Sequence, residues 1–237
     1  MIYFHGDIHG HTDRLAFKLR RYQVGPGDTV VLLGDVGLNF HGPEDGDRVR
    51  KEILESTGID YLCIHGNHEM RPSGLPFYHE EVWNGGTVYV EDDFPHLRFA
   101  KDGEVFDLHG RKAIVIGGAY SVDKYFRLRE GAPWFSDEQP SAEIKAVVEQ
   151  HLASLGWKVD LVLSHTCPTK YIPTETFLAY VDQSTVDRST EDWLDRIEDR
   201  LNYGLWYCGH WHIDKTIDKL QFLYHSLDAL YENTHKE

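Results

Sequence analysis

Val30-Val31-Leu32-Leu33-Gly34-Asp35-Val36-Gly37 is the stretch whose reading decides the fold. An apolar run ending in Gly-Asp reads as a buried strand that lifts a carboxylate to its C-terminal edge, where open α/β sheets keep their ligand sites. A carboxylate there needs a partner, because burying an unpaired charge is costly. Four further polar clusters follow similar apolar runs: Gly6-Asp7-Ile8-His9-Gly10, Gly66-Asn67-His68-Glu69, Ser164-His165 and Gly209-His210-Trp211-His212. With Asp35 they supply two Asp, one Asn and five His, a donor set suited to metal ions.

Working outward, residues 1–6 read as a strand, and the Asp7-x-His9 spacing sends both side chains to one side of an extended backbone. Thr12 reads as the N-cap of a helix with Leu15, Leu19 and Tyr22 inward, ended by Gly25-Pro26-Gly27. A second helix is predicted over 45–56, with Val49, Ile53 and Leu54 inward and Gly58 as its stop. A strand over 61–65 then delivers Asn67 and His68. This βαβαβ pattern predicts a parallel sheet with right-handed crossovers.

The middle of the chain changes character. Short runs at 87–90, 97–100, 104–108 and 112–117, separated by Gly and Asp turns, read as antiparallel strands of a second sheet. Residues 119–140 are irregular and rich in aromatic and charged side chains, a candidate lid or substrate loop whose duller alternative is packing. Ser141 caps a helix with Ile144, Val147, Val148, Leu152 and Leu155 inward. A strand over 159–163 presents His165, and 166–188 reads as loop with Pro168 and Pro173 as breakers. A helix over 190–201, a strand over 205–208 leading to His210 and His212, and a last strand over 220–224 complete the pattern, with a polar tail after Leu230 expected to be disordered.

Bulk properties bound the function. The 237 residues suffice for one sizeable core without a compositional break, so a single domain over 1–237 is expected. No apolar run approaches the ~20 residues of a membrane-spanning helix. The N-terminus shows no basic region, long apolar stretch or cleavage site, and Cys63, Cys167 and Cys208 form no CxxC pair; both point to a cytoplasmic protein without a disulfide framework. A net charge of -15 argues against a dedicated binder of long nucleic acid. Two divalent ions held by two carboxylates and neutral ligands would still carry about +2 locally, enough to attract an anion.

Taken together and in order, Gly-Asp-x-His-Gly, Gly-Asp, Gly-Asn-His-Glu, His and Gly-His-x-His resemble the calcineurin-like metallophosphoesterase superfamily, and the resemblance runs from Asp7 to His212. It implies an α/β fold, a four-layer α/β/β/α sandwich of two mixed sheets. It further implies that Asp7, His9 and His212 hold one metal, that Asn67, His165 and His210 hold another, and that Asp35 bridges them. The implied activity is hydrolysis of a phosphomonoester or phosphodiester by in-line attack of a metal-bridging hydroxide. By the same resemblance His68 and Asn67 are the catalytic pair beside the phosphoryl group, His68 donating a hydrogen bond to it or a proton to the leaving oxygen. The mixed donor set suits two divalent ions, Mn²⁺ first, with Fe, Zn²⁺, Ni²⁺ or Mg²⁺ as alternatives.

The departures bear on substrate. The protein Ser/Thr phosphatase branch continues its second motif as Gly-Asp-x-Val-Asp-Arg-Gly, whereas this chain reads Gly34-Asp35-Val36-Gly37-Leu38-Asn39-Phe40. The phosphate-gripping Arg and the His-orienting Asp are both missing, which favours a small or nucleotide-type phosphoester over a phosphoprotein. Asn39 and Arg127 are substrate-binding candidates, with Arg71, Lys124 and Arg129 as further cations whose bland reading is solvated surface charge. His5, His11, His65 and Glu69 flank ligands and are expected to support them, the cysteines to be buried apolar groups, and Trp211 to pack. A nuclease acting on DNA or RNA ends and a non-catalytic scaffold of the same fold are the competing readings; a clustered basic groove would favour the former, loss of a ligand the latter.

Overall fold

The computed structural model describes residues 1–42 and 46–230. Asp45 and the tail after Leu230 lie outside the described residues. The strands are β1 (Ile2–His5), β2 (Thr29–Leu32), β3 (Asp60–Cys63), β4 (His79–Trp83), β5 (Gly86–Val90), β6 (Leu97–Ala100), β7 (Val105–Leu108), β8 (Arg111–Ile116), β9 (Leu161–Ser164), β10 (Leu205–Cys208), β11 (Lys215–Ile217), β12 (Leu220–Phe222) and β13 (Leu227–Leu230). The helices are α1 (Thr12–Arg21), α2 (Asp47–Glu55), α3 (Lys124–Glu130), α4 (Ala142–Ser154) and α5 (Ser189–Glu198).

Two mixed sheets, ordered β13-β1-β2-β3-β6-β5-β4 and β11-β12-β10-β9-β8-β7, face each other. Phe4, Val31 and Leu62 from one sheet meet Val115, Leu163 and Tyr207 from the other, and the Phe4 and Tyr207 rings stack at 4.2 Å. The outer face of the first sheet buries Val30, Leu32 and Tyr61 against Leu15 and Leu19 of α1 and Leu54 of α2. The outer face of the second buries Ile114, Val162 and Trp206 against Val148 and Leu152 of α4 and Trp193 and Leu194 of α5. Alternate residues of each strand therefore serve different layers, as the period of two requires, and the result is the expected α/β/β/α sandwich.

Register explains how the polar clusters meet. In the first sheet β1, β2 and β3 run parallel with His5, Leu32 and Cys63 level, so their following loops leave from one edge. In the second, β9 and β10 run parallel with Ser164 level with Cys208. Face-to-face packing then brings the two sets of C-terminal loops together.

Several local expectations are corrected. The four middle strands do not form one sheet: β5 and β6 extend the first sheet, β6 parallel to β3, while β7 and β8 belong to the second. The chain's last strand in sequence is β13, which pairs antiparallel with β1 beyond the predicted 220–224 strand. Thr12 makes no capping bond, and Tyr22 faces solvent because the helix has ended. In α2, Val49 is 59 % exposed, whereas Lys51 is 3 % exposed, 2.6 Å from Glu91 and near the rings of Phe77 and Tyr78. Residues 119–140 include helix α3, and 166–188 hold three short 3₁₀ turns. Ser141 does cap α4, accepting from Ile144 N–H at 3.3 Å, although Val147 is exposed. None of the helices among the described residues is long and apolar enough to cross a membrane.

Candidate metal centre

Each predicted metal ligand sits one to four residues beyond a strand end, where the chain turns sharply. His9, Asp35, His210 and His212 have φ of 45°, 48°, 64° and 50°, left-handed values that non-glycine residues rarely adopt. Such strain persists where surrounding structure holds it, and it clusters at functional sites. Two glycines make the close approach feasible: a Cβ on Gly34, at φ +95°, would lie 2.1 Å from His165 Nδ1, and one on Gly209 would lie 2.2 Å from Asp7 Oδ1.

Asp7 and Asp35 form the floor of the cup. Asp7 Oδ1 accepts from His210 N–H at 2.8 Å, whereas its Oδ2 is buried without a hydrogen-bond partner, 3.3 Å from His212 Nε2 and 3.8 Å from His9 Nε2. Asp35 Oδ1 accepts from His68 N–H at 2.8 Å and lies 3.5 Å from His165 Nε2; its Oδ2 is 3.9 Å from His9 Nδ1. Asn67 Oδ1 is 2.8 Å from His165 Nε2, and its amide donates to Ser121 Oγ at 2.9 Å. His165 Nδ1 is fixed at 2.7 Å from the Leu33 carbonyl. The His210 ring lies 5.0 Å from that of His165.

Among the described residues three sets of donor atoms lie within 4.8 Å of one another: Asp7, His9 and His212; His9, Asp35 and His68; and Asp7, Asp35 and His165. The first is the predicted triad. Asp7, His9 and Asp35 each belong to two of the sets, so the three overlap. Distance alone does not separate His68 from the ligands, since it falls with His9 and Asp35. An orphaned buried carboxylate oxygen facing two imidazole nitrogens, with the His9 and His212 Nε2 atoms 2.9 Å apart, fits a cation far better than a closed hydrogen-bond network.

Electrostatics agree. Burial opposes ionisation of Asp7, but the His212 imidazole beside it and the charge of His165 outweigh it and lower its pKa; burial of Asp35 is likewise outweighed by His165, His68 and His9. Both carboxyls stay ionised. Burial lowers His210 to about 3, keeping its imidazole neutral as ligation requires. His68 is lowered too, by burial first, with Asp35 and Asp123 pulling upward and Arg127 downward.

The other candidates separate cleanly. Glu69 is buried and accepts from Gly66 N–H at 3.0 Å and Gly37 N–H at 3.1 Å, tying together the loops that carry Asp35 and Asn67. His65 is buried with neither ring nitrogen bonded, and His5 contacts Lys18 outside the cup. Asn39 is buried with Oδ1 accepting from Tyr78 and does not line the cavity. Arg127 is 4 % exposed, near the rings of Phe40 and Phe135, and neither Nη atom has a hydrogen-bond partner; it stands behind the cavity wall. Arg71 is engaged by Asp102 and the Asp137 carbonyl, Lys124 sits over Trp134 and Arg129 pairs with Glu130. The cysteines are buried and free.

A cavity of about 570 Å³ opens from this cup. Tyr120, Val122 and Asp123 contribute one side, so only the start of 119–140 reaches it, while residues 172–188 build most of the opposite wall. Trp211 both lines the cavity and packs against the α4/α5 core. Sequence reasoning missed this wall because an aperiodic segment carries no pattern that reveals which way it folds, and missed Ser121 and Glu191 because their partners, Asn67 and Thr166, are distant in the chain. The family model for calcineurin-like phosphoesterases matches residues 1–214. No curated protein matches the chain at a significant level.

Proposed function

This chain belongs to the calcineurin-like phosphoesterase family, and on that footing we propose that it hydrolyses a small or nucleotide-type phosphomonoester or phosphodiester at a two-metal centre. The observation that carries the reading is the convergence of Asp7, His9, Asp35, His165 and His212, from both sheets, into overlapping donor sets, two of which contain Asp35. Asp7, His9 and His212 would hold one ion, Asn67, His165 and His210 the other, with Asp35 common to both and Mn²⁺ the first choice. Two divalent ions supply an activated water at neutral pH and neutralise charge on the phosphoryl oxygens.

The chain's own side chains position and polarise. Ser121 holds the Asn67 amide and the Leu33 carbonyl holds His165, so both donors are oriented before any ligand arrives. His68, anchored through its backbone N–H to Asp35, presents its imidazole at the cavity wall, 3.9 Å from an Asp123 oxygen. Its depressed pKa favours a neutral ring that donates a hydrogen bond to the phosphoryl group. Arg127 adds positive potential from behind His68 and does not grip the substrate directly.

Two alternatives lose support. Among the described residues Arg188 is the one Lys or Arg side chain lining the cavity, against Asp35, Asp123, Asp187 and Glu191, so no basic groove favours a nuclease. A scaffold would have no need to keep every ligand and His68. The test is hydrolysis of 4-nitrophenyl phosphate and bis(4-nitrophenyl) phosphate by Mn²⁺-loaded protein. We expect turnover that Asp35→Ala abolishes; a metal-loaded, folded protein inert on both esters refutes the reading.

A further inference from the structure

The cavity extends well past the polar cup, and hydrolysis by itself does not account for that extension. Ile172, Phe177, Leu178, Val181 and Val186 line it, with Tyr180 at the mouth, 84 % exposed. The segment is braced: Asp182 Oδ1 accepts from Ser184 N–H at 3.0 Å, Lys170 pairs with Glu198 at 2.8 Å, and Lys215 pairs with Glu175. Arg188 lies over the Phe177 ring at 5.6 Å and donates to Gln183 Oε1 at 3.2 Å.

Asp123, Trp211 and Glu191 each line the cavity with a buried polar atom that has no hydrogen-bond partner; Asp123 lies beside His68 and the Trp211 atom is a donor, which leaves Glu191 as the unpaired acceptor of the apolar arm. Glu191, in the first turn of α5, is 4 % exposed, and its Oε1 accepts from Thr166 Oγ1 at 2.8 Å, directly after His165 in the chain. Its Oε2 is buried with no partner, although the residue lines the cavity. Glu69, the comparable buried carboxyl, has both oxygens engaged. A carboxyl oxygen left unpaired beside an apolar cleft is costly unless a ligand completes it.

We propose that this arm of the cavity is a nucleoside subsite, in which a flat nitrogen heterocycle lies against Phe177 and Tyr180 and its amino or imino edge pairs with Glu191 Oε2. The proposal rests on the phosphoesterase reading and narrows its substrate to nucleoside phosphoesters. The alternatives fit less well. A sugar phosphate would leave Ile172, Phe177, Leu178, Val181 and Val186 without an apolar face to cover them, and an acyl chain would leave Oε2 unpaired. A base offers apolar faces and a hydrogen-bonding edge together. Burial holds the Glu191 carboxyl up to about 7, so near neutral pH it can accept from an amino group or donate to a ring nitrogen. In the reaction water adds to phosphorus, the bond from phosphorus to the nucleoside oxygen breaks, and that oxygen leaves as a hydroxyl.

Two measurements test this separately from hydrolysis. The first is calorimetric titration of chelated, metal-free protein with adenosine, guanosine, cytidine and uridine, each against ribose. At least one nucleoside should bind, and Glu191→Leu and Tyr180→Ala should each weaken it about tenfold, the worth of one buried hydrogen bond or stacking contact. The second is the kcat/KM ratio of the matching nucleoside 5′-monophosphate to ribose 5-phosphate on Mn²⁺-loaded protein, which should exceed about tenfold and collapse in the same variants. Tyr180 is exposed, so its variant remains informative if Glu191→Leu fails to fold. Absence of nucleoside binding, or an unchanged ratio in folded variants, overturns the subsite even if 4-nitrophenyl phosphate is cleaved. Failure to cleave any ester overturns the phosphoesterase reading instead.

Discussion

Gly34→Ala should be among the most damaging single-methyl changes in this protein, and its cost should depend on His165. The residue has φ +95°, where an alanine is strained by about 1–2 kcal/mol. The added Cβ would stand 2.1 Å from His165 Nδ1, well inside any real contact, so the ring must move. Moving it breaks the 2.7 Å contact with the Leu33 carbonyl and the 2.8 Å contact with Asn67 Oδ1. Each lost buried hydrogen bond costs about 1 kcal/mol net, and up to about 3 if a group is left unpaired. The sum is about 3–8 kcal/mol, a large share of the roughly 5–15 kcal/mol that folded domains possess. Urea unfolding of chelated protein measures it in a double-mutant cycle. In a His165→Ala background the steric part vanishes and Gly34→Ala should cost only the backbone strain of about 1–2 kcal/mol. Equal costs in the two backgrounds, within about 0.5 kcal/mol, would refute the steric argument.

Three further outcomes follow from the structure. Burial lowers His5 to about 4 and His210 to about 3, so the stability they contribute is complete above about pH 6.5 and is lost as pH falls toward those values. Each should cost metal-free protein about 2 kcal/mol between pH 7 and 5, partly offset by His165 and His212, whose pKa values are raised; urea midpoints that stay flat over that range would exclude this. Lys51→Met should destabilise by about 3 kcal/mol because it strands the Glu91 carboxylate, and adding Glu91→Leu should recover most of the loss, which thermal unfolding of both variants would show or deny. Ser141→Ala removes the α4 cap and should lower Tm by about 2–4 °C, with an unchanged Tm counting against a stabilising cap.

The strand-end motifs were legible because they are local. An apolar run followed by Gly-Asp, Gly-Asn-His or Gly-His tells where a strand stops and which side chain stands at its edge, and Asp7, Asp35, His165 and His212 meet as that pattern requires. What the pattern could not supply was partnership across distance. The assignment of β5 and β6 to the first sheet and of β7 and β8 to the second depends on which edge offers free hydrogen bonds. Lys51 is buried because Glu91 and two aromatic rings arrive from another element, so its helical position alone misleads. Likewise 172–188 carries no periodicity, and only packing such as that of Phe177 on Trp211 turns it into a cavity wall beside Glu191 of α5. By itself the sequence determined the layered class and the polar residues at each strand end, since these follow from spacing along a few residues. Only the tertiary structure decided the cavity's shape and which buried polar atoms lack partners, because both are properties of surfaces that distant segments make together.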